Sequence, residues 1–208
     1  MSIKILQLEN TPIEEQLKIE EDLLRNDPHP YVIIGTNLPT AIVMGSSQKK
    51  EDVIDLKKAY EQKIPIIQRF SAGGCVLLDK DSIVVSFILN KKNVGVDLFP
   101  QTLMKWSIDF YQKALLLPDL DLQGNDYTLK DRKIGGNAQY IKRDRFVHHT
   151  SFLWDFCPEK MEVLLHPPKE PCYRNKRPHQ EFLTTIKPHL SKEGFIESIK
   201  NRSIKVFR

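Results

Sequence analysis

Two cations beside paired glycines are the residues in this sequence best suited to chemistry. Arg69 leads into Phe70-Ser71-Ala72-Gly73-Gly74-Cys75, and Lys133 stands two residues before Gly135-Gly136. Adjacent glycines let the backbone take φ > 0 and let a ligand reach the amides without meeting a Cβ. A guanidinium and an ammonium beside such openings suit phosphate or carboxylate. The first loop is not a Walker-type phosphate loop, because it lacks the Gly-Lys-Ser/Thr ending. Gly124-Asn125-Asp126-Tyr127 and His148-His149-Thr150-Ser151 add a carboxylate and two imidazoles. Each residue also has a plainer reading. Arg69 is then a surface ion-pair partner, Lys133 one charge of a solvated run with Lys130 and Arg132, and Asp126 a turn cap. His149 is then a core histidine and Cys75 a packing thiol.

The order of these stretches resembles the catalytic domain of the lipoate–protein ligase family, whose fold is shared with biotin ligases and octanoyltransferases. The family patterns are an arginine pair, one residue, then Ser-Gly-Gly-Gly; an Asn-Asp-Leu; an Arg-Lys-x-Ser-Gly-x-Ala; and a His-His-Gly-Thr. Here they fall on Gln68 to Asp79, Asn125-Asp126, Arg132 to Ala138 and His148 to Thr150, across about residues 31–155. The resemblance implies an ATP-dependent ligase that activates lipoate or octanoate as an acyl-adenylate and transfers it to a lysine of a lipoyl domain. It places ATP contacts on Arg69, Gly73, Gly74, Cys75, Val76 and Leu77, and the catalytic lysine on Lys133. It places Asn125, Asp126, Gly136 and His149 around the acyl and metal–phosphate region, with Asp126 as a ligand for Mg²⁺.

Several positions depart from the family pattern. The first arginine of the pair is Gln68. The arginine that follows a glycine on an earlier strand is Ser46. The middle loop glycine is Ala72, the histidine before Asp79 is Leu78, and the serine before the second glycine pair is Gly135. Positive charge and acyl specificity are where these changes bear. The protein substrates implied are lipoyl domains of 2-oxoacid dehydrogenase E2 subunits or the glycine-cleavage H protein. Long family members carry an accessory domain for which the chain past Asp155 is too short. A separate partner chain, or use of preformed lipoyl-AMP, is therefore an expectation.

In that chemistry an acid attacks the α-phosphorus, pyrophosphate leaves, and the mixed anhydride waits for an amine. Charge builds on phosphoryl oxygens, so fixed cations and backbone N–H donors lower the barrier; losing one typically costs ~3–4 kcal/mol. The acyl tail needs an apolar slot, for which the Val76-Leu77 and Ile83-Val84 stretches are candidates. One rival is an octanoyl- or lipoyl-transferase that works without ATP through a cysteine thioester. Only Pro171-Cys172 offers a partial match to such a cysteine. Another is a non-catalytic relative that binds a small acid. Biotin is disfavoured because the loop lacks the arginines of biotin ligases. The basic clusters 130–133, 142–145 and 174–177 have few interleaved aromatics, so nucleic acid is not an expected partner.

The elements that must position these residues read as α+β: a central mixed sheet flanked by helices, like the biotin/lipoate-ligase catalytic domain. Thr11-Pro12-Ile13-Glu14 reads as a capping box that opens a helix ending at Asn26. Tyr31–Gly35 and Ala41–Gly45 read as a central hairpin. Residues 51–62 read as one polar helix, and 64–70 and 75–89 as strands around the first loop. Residues 100–117 form the strongest helix, with Leu103, Trp106, Phe110, Ala114 and Leu117 on one face. Lys142–Arg145 is a hairpin tip, and Thr150–Phe156 a further strand. Past Cys157 come prolines and charges, including Pro167-Pro168, then short helices at 179–187 and 191–200.

Composition bounds the rest. The chain has 208 residues, 40% hydrophobic and 28% charged, with net charge +4. That predicts one catalytic domain, with a core over about 1–156 and a tail over 157–208. No apolar run approaches the ~20 residues of a membrane span. The start lacks a secretory signal pattern, so a cytoplasmic protein is expected. Three cysteines without metal-like spacing argue against a disulfide framework or a zinc site. The mild positive charge suits an acidic protein partner.

Overall fold

The computed structural model describes residues 2–167 and 170–207. In chain order the elements are β1 (Lys4–Glu9), α1 (Ile13–Asn26), β2 (Tyr31–Thr36), β3 (Ala41–Met44), α2 (Lys50–Val53), α3 (Leu56–Glu61), β4 (Ile66–Gln68), β5 (Cys75–Leu78) and β6 (Ser82–Asn90). Then follow α4 (Lys91–Val94), α5 (Pro100–Leu115), β7 (Leu120–Gln123), β8 (Asp126–Leu129), β9 (Arg132–Lys142), β10 (Arg145–Leu153), α6 (Pro158–Met161), α7 (His179–Phe182) and α8 (Lys192–Val206). A seven-stranded sheet runs β1-β2-β6-β10-β9-β8-β7, and a three-stranded sheet runs β4-β3-β5. The fold is α+β with a large mixed sheet, as expected.

The pleat sorts the side chains. On β6, Ile83, Val85, Phe87 and Leu89 join Phe146 and Phe152 of β10 in a core under α5 and α8. That core holds the aromatic stripe of α5, with Phe87 edge-on to Phe110 at 4.9 Å and Tyr111 edge-on to Phe152 at 4.9 Å. The alternate residues Ile88 and Val147 meet Leu24 of α1 on the opposite face. The small sheet is buried on both faces. Val43 and Leu78 pack with Ile13 and Leu17 of α1. Ile42, Met44 and Leu77 pack with Val53, Met161 and Phe182.

Several sequence expectations are corrected. Tyr31–Gly35 and Ala41–Gly45 do not pair as a hairpin. β2 lies between β1 and β6, whereas β3 lies between β4 and β5. Both strands are buried throughout, so each needed neighbours on both edges and found them in different sheets. The stretch 75–89 divides at a turn where Ser82 N–H donates to the Asp79 carbonyl (3.0 Å), and this turn carries the chain from one sheet to the other. The helix expected over 51–62 breaks at buried Ile54, which bridges Leu164, and Asp55 caps the second piece by accepting from Lys58 N–H (3.1 Å). Thr11 makes no capping box. Pro12 occupies the cap position of α1, and the Thr11 hydroxyl turns to the Glu9 carbonyl. In the tail α7 is shorter than expected and α8 longer; Pro168 lies outside the described residues. No helix among the described residues is long and apolar enough to cross a membrane.

His148 faces the aromatic core, fully buried, within 3.2 Å of the Tyr127 hydroxyl and 3.0 Å of Gln139 Nε2. Burial, and then the neighbouring His149, hold its pKa down at about 3. The unfolded chain takes up a proton near the usual value of about 6.5, which the folded chain refuses. Stability therefore falls as pH drops through that range, by ~3 kcal/mol at about pH 4 from this group. Urea titrations across that range are expected to show the loss, and His148→Gln is expected to reduce the pH slope by about one proton.

Candidate functional site

The first glycine loop joins β4 to β5, two strands that do not pair with each other but flank β3. Its return is braced from inside. Arg69 is only 6% exposed. Its Nη2 donates to the carbonyls of Gly74 (2.9 Å) and Ala72 (3.4 Å), and Nη1 to that of Val43 (3.5 Å). Burial lowers its pKa to about 10, which leaves it cationic near neutrality. It is thus not a surface ion-pair residue: its guanidinium braces the loop carbonyls and also lines the cavity beside them. Gly73 has φ +129°, and a methyl group there would meet Arg69 Nη2 at 2.6 Å. A methyl group on Gly45 would lie 2.1 Å from the Gly73 carbonyl oxygen, so β3 and the loop touch backbone to backbone. Gly74 faces open space.

A buried polar chain anchors the loop on its other side. Ser71 Oγ lies 2.9 Å from His149 Nε2, and His149 Nδ1 lies 2.9 Å from Glu20 Oε2. Glu20 Oε1 accepts from the Ser86 hydroxyl (2.6 Å) and from Gln16 Nε2 (3.0 Å). With three donors on the carboxylate, His149 donates from Nδ1 and accepts from Ser71. The plain reading of His149 as a satisfied interior histidine therefore describes both of its nitrogens, although the ring also lines the cleft. The sequence reading missed Glu20 and Ser71. The available signal was Gln16 and Glu20 on the apolar stripe of α1, at three- and four-residue steps from Ile13, Leu17 and Leu24.

Lys133 approaches from β9. Its Nζ pairs with Asp126 Oδ1 at 2.8 Å, and both side chains are largely buried. The Tyr173 hydroxyl donates to Asp126 Oδ2 at 2.8 Å. Lys133 is thus not part of a solvated run: Arg132 turns outward to the Gln180 carbonyl, and Lys133 turns in. Both Asp126 oxygens are engaged, and among the described residues no group of three His, Cys, Asp or Glu could ligate a metal ion. Asp126 as placed is the counter-ion of Lys133.

One cavity of about 150 Å³ is lined by Arg69, Gly73, Gly74, Cys75, Val76, Asn125, Asp126, Lys133, Gly136 and His149. Both cations line it. Its depth is apolar, walled by Ile13, Leu17, Val43, Leu78 and Val84. Ile83 is excluded by the pleat and faces the α5 core. Leu77 borders a larger adjoining cavity of about 660 Å³, which shares Gly74, Asp126 and Lys133 and is also lined by residues of the tail. Burial pushes the Cys75 thiol up to about 12, so it is a packing group and not a nucleophile.

An apolar slot with an ammonium and a glycine loop beside it, set on this mixed sheet, has the chemistry to take an acid's tail and its carboxylate or a phosphate. The chain belongs to the lipoyl protein ligase A/B catalytic domain family, whose model matches residues 12–208. It is 32% identical over 209 aligned residues to a protein of Plasmodium falciparum called inactive lipoate–protein ligase 2, a match covering 79% of this chain and 54% of that one. A lipoate-protein ligase of Bacillus subtilis is 29% identical over 142 residues, covering 67% of this chain and 42% of its own. The chain thus spans about half the length of these curated relatives. Among solved structures, lipoate-protein ligase A bound with ATP superposes with a TM-score of 0.82 at 16% identity, over 99% of this chain and 85% of that one. The bipartite lipoate protein ligase of Thermoplasma acidophilum superposes at 0.78 with 20% identity, over 100% and 82%. At these identities the likeness is one of fold.

The glycines yield a contrast. Gly73→Ala and Gly45→Ala are expected to destabilise the protein by about 1–3 kcal/mol each, through backbone strain and backbone collision. Gly74→Ala is expected to change stability by less than ~1 kcal/mol. Thermal melts of the three variants check the order.

Proposed function

We propose that this domain carries out lipoate–protein ligation through a lipoyl adenylate held between Lys133 and the glycine loop. The observation that carries the reading is one cleft in which Lys133 and the loop meet over an apolar slot. The acyl chain lies in the slot, along Leu17, Val43 and Val84. Its carboxylate reaches Lys133 and replaces Asp126 as partner of the ammonium, one anion exchanged for another. The carboxylate oxygen then attacks the α-phosphorus of ATP and pyrophosphate leaves. Lys133 and the amides of Gly73, Gly74 and Cys75 stabilise the charge on the phosphoryl oxygens. In the second step a lysine amine of an acceptor attacks the acyl carbonyl, AMP leaves, and the amine gives up its proton. Octanoate fits the same slot chemistry.

The acceptors on this reading are lipoyl domains, of the E2 subunits of 2-oxoacid dehydrogenases or of the glycine-cleavage H protein. The bipartite Thermoplasma ligase, solved together with its E2 lipoyl domain, is a precedent in another protein.

A second reading has its own observation. Where the family resemblance expects arginines, Gln68 Nε2 donates to the Ser46 carbonyl (3.0 Å), a neutral pair. Arg69 is spent on its own loop. That balance suits an acyl adenylate, with one phosphoryl charge, better than a triphosphate. Transfer from preformed lipoyl-AMP is then the whole reaction. A thioester route is disfavoured: the Cys75 thiol is held protonated, and exposed Cys172 lines neither cavity.

The test is lipoylation of a purified lipoyl domain, with lipoate plus ATP in one arm and lipoyl-AMP in the other. Product in both arms supports the full ligase, and product only with lipoyl-AMP supports the transfer reading. Lys133→Ala is expected to lower transfer by at least ~100-fold in either arm, and Cys172→Ser to leave it unchanged. No product in either arm overturns the proposal.

A further inference from the structure

A line of polar side chains in the cleft wall runs in one direction. Asn137 of β9 and Thr150 of β10 stand opposite each other across the ladder, and both line the smaller cavity. Thr150 is fully buried. The Tyr111 hydroxyl of α5 donates to Thr150 Oγ1 at 3.4 Å. Burial pushes the Tyr111 phenol well up, so it keeps its proton. The Thr150 hydroxyl in turn donates to Asn137 Oδ1 at 2.6 Å. Asn137 Nδ2 then donates to the Asn125 carbonyl at 3.0 Å. The line starts on a core helix and ends on the turn between β7 and β8.

An amide has an acceptor end and a donor end, and either can face a given neighbour. Here the choice is made by Thr150. Its proton goes to Oδ1, which leaves Nδ2 for the Asn125 carbonyl. Asn125 directly precedes Asp126, whose Oδ1 meets Lys133 Nζ at 2.8 Å. Asn125, Asp126 and Lys133 line both cavities. The pattern His-His-Gly-Thr expects glycine where Thr150 stands. A glycine has no hydroxyl to orient an amide, so the family pattern does not supply this line.

We propose that Thr150 and Asn137 are positioning residues for the Lys133–Asp126 pair: Thr150 orients the Asn137 amide, and Asn137 latches the Asn125-Asp126 turn to β9. This inference rests on the ligase reading of the cleft and deepens it. Neither side chain takes part in making or breaking a bond. Both act by fixing where Asp126 stands, and so where the ammonium of Lys133 waits for a substrate anion. A reacting group misplaced by about 1 Å can cost on the order of 100-fold in rate.

Transfer from preformed lipoyl-AMP to a purified lipoyl domain, followed at varied acceptor concentration, tests this. Thr150→Val keeps the shape and removes the hydroxyl. It is expected to lower kcat by about 10–100-fold and to leave KM for the acceptor unchanged. Thr150→Ser is expected to restore kcat, although loss of the buried methyl lowers its melting temperature. Asn137→Asp still accepts from Thr150 but has no donor for Asn125, and is expected to match Thr150→Val. By NMR, the Asn137 side-chain amide is expected to exchange with solvent more slowly in the wild type and Thr150→Ser than in Thr150→Val. Should Thr150→Val fail to fold, Thr150→Ala takes its place. Wild-type kcat in the hydroxyl-free variant, or equal loss in it and in Thr150→Ser, overturns the latch alone. A loss confined to Asn137→Asp also overturns it, since Asn137 then acts without Thr150. A wild type that transfers nothing overturns the ligase reading, and the amide exchange then decides the latch separately.

Discussion

An ammonium cannot sit bare in a cleft whose depth is valine, leucine and isoleucine, and the Lys133–Asp126 pair is the answer to that constraint. Removing the charge from water costs several kcal/mol unless a partner returns it. Asp126 is that partner at 2.8 Å, itself held by Tyr173. The pair joins β9, the β7–β8 turn and the tail at one point, where the two cavities meet. It also leaves the ammonium ready for exchange, because a substrate anion offers Lys133 the same kind of contact that Asp126 does. On the proposed ligase reading, the lysine is stored neutralised and is used by substitution.

The glycine loop is held by a different device. Its carbonyls receive the Arg69 guanidinium, and its Ser71 is tied through His149 to the carboxylate of Glu20 on α1. The loop therefore spans both sheets without pairing its own flanking strands. Backbone amides preorganised in this way need little rearrangement when charge develops on a ligand, which is the condition for electrostatic catalysis. The large sheet serves both purposes. One side of its pleat carries the aromatic core under α5 and α8; the other carries Val84, Ser86, His149 and Ser151 toward the small sheet and α1.

The family and the fold are clear, and the residues differ from the family pattern at specific points. Gln68 and Ser46 hydrogen-bond to each other where the resemblance expects two arginines. Leu78, standing where the family has histidine, adds to the apolar depth of the slot. A cleft completed by its tail depends on Tyr173 and Phe182 staying docked.

By itself the sequence determined the composition of the site. Paired glycines, one arginine and one lysine in a fixed order were legible because backbone freedom and charge are local properties of residue type. So were the α5 stripe, the β9–β10 hairpin and the α+β class, since hydrophobic period and turn residues act over a few neighbours. Tertiary structure decided which strands pair. Tyr31–Gly35 and Ala41–Gly45 look like a hairpin because each is uniformly apolar, but uniform burial says nothing about which sheet a strand joins. It also decided what each charge does. Arg69 reaches its own loop carbonyls, and Asp126 answers Lys133. Glu20 reaches His149 across 129 positions. Partners so far apart in sequence are chosen by packing and by the cost of leaving a buried charge alone, and neither leaves a mark on the spacing of residues along the chain.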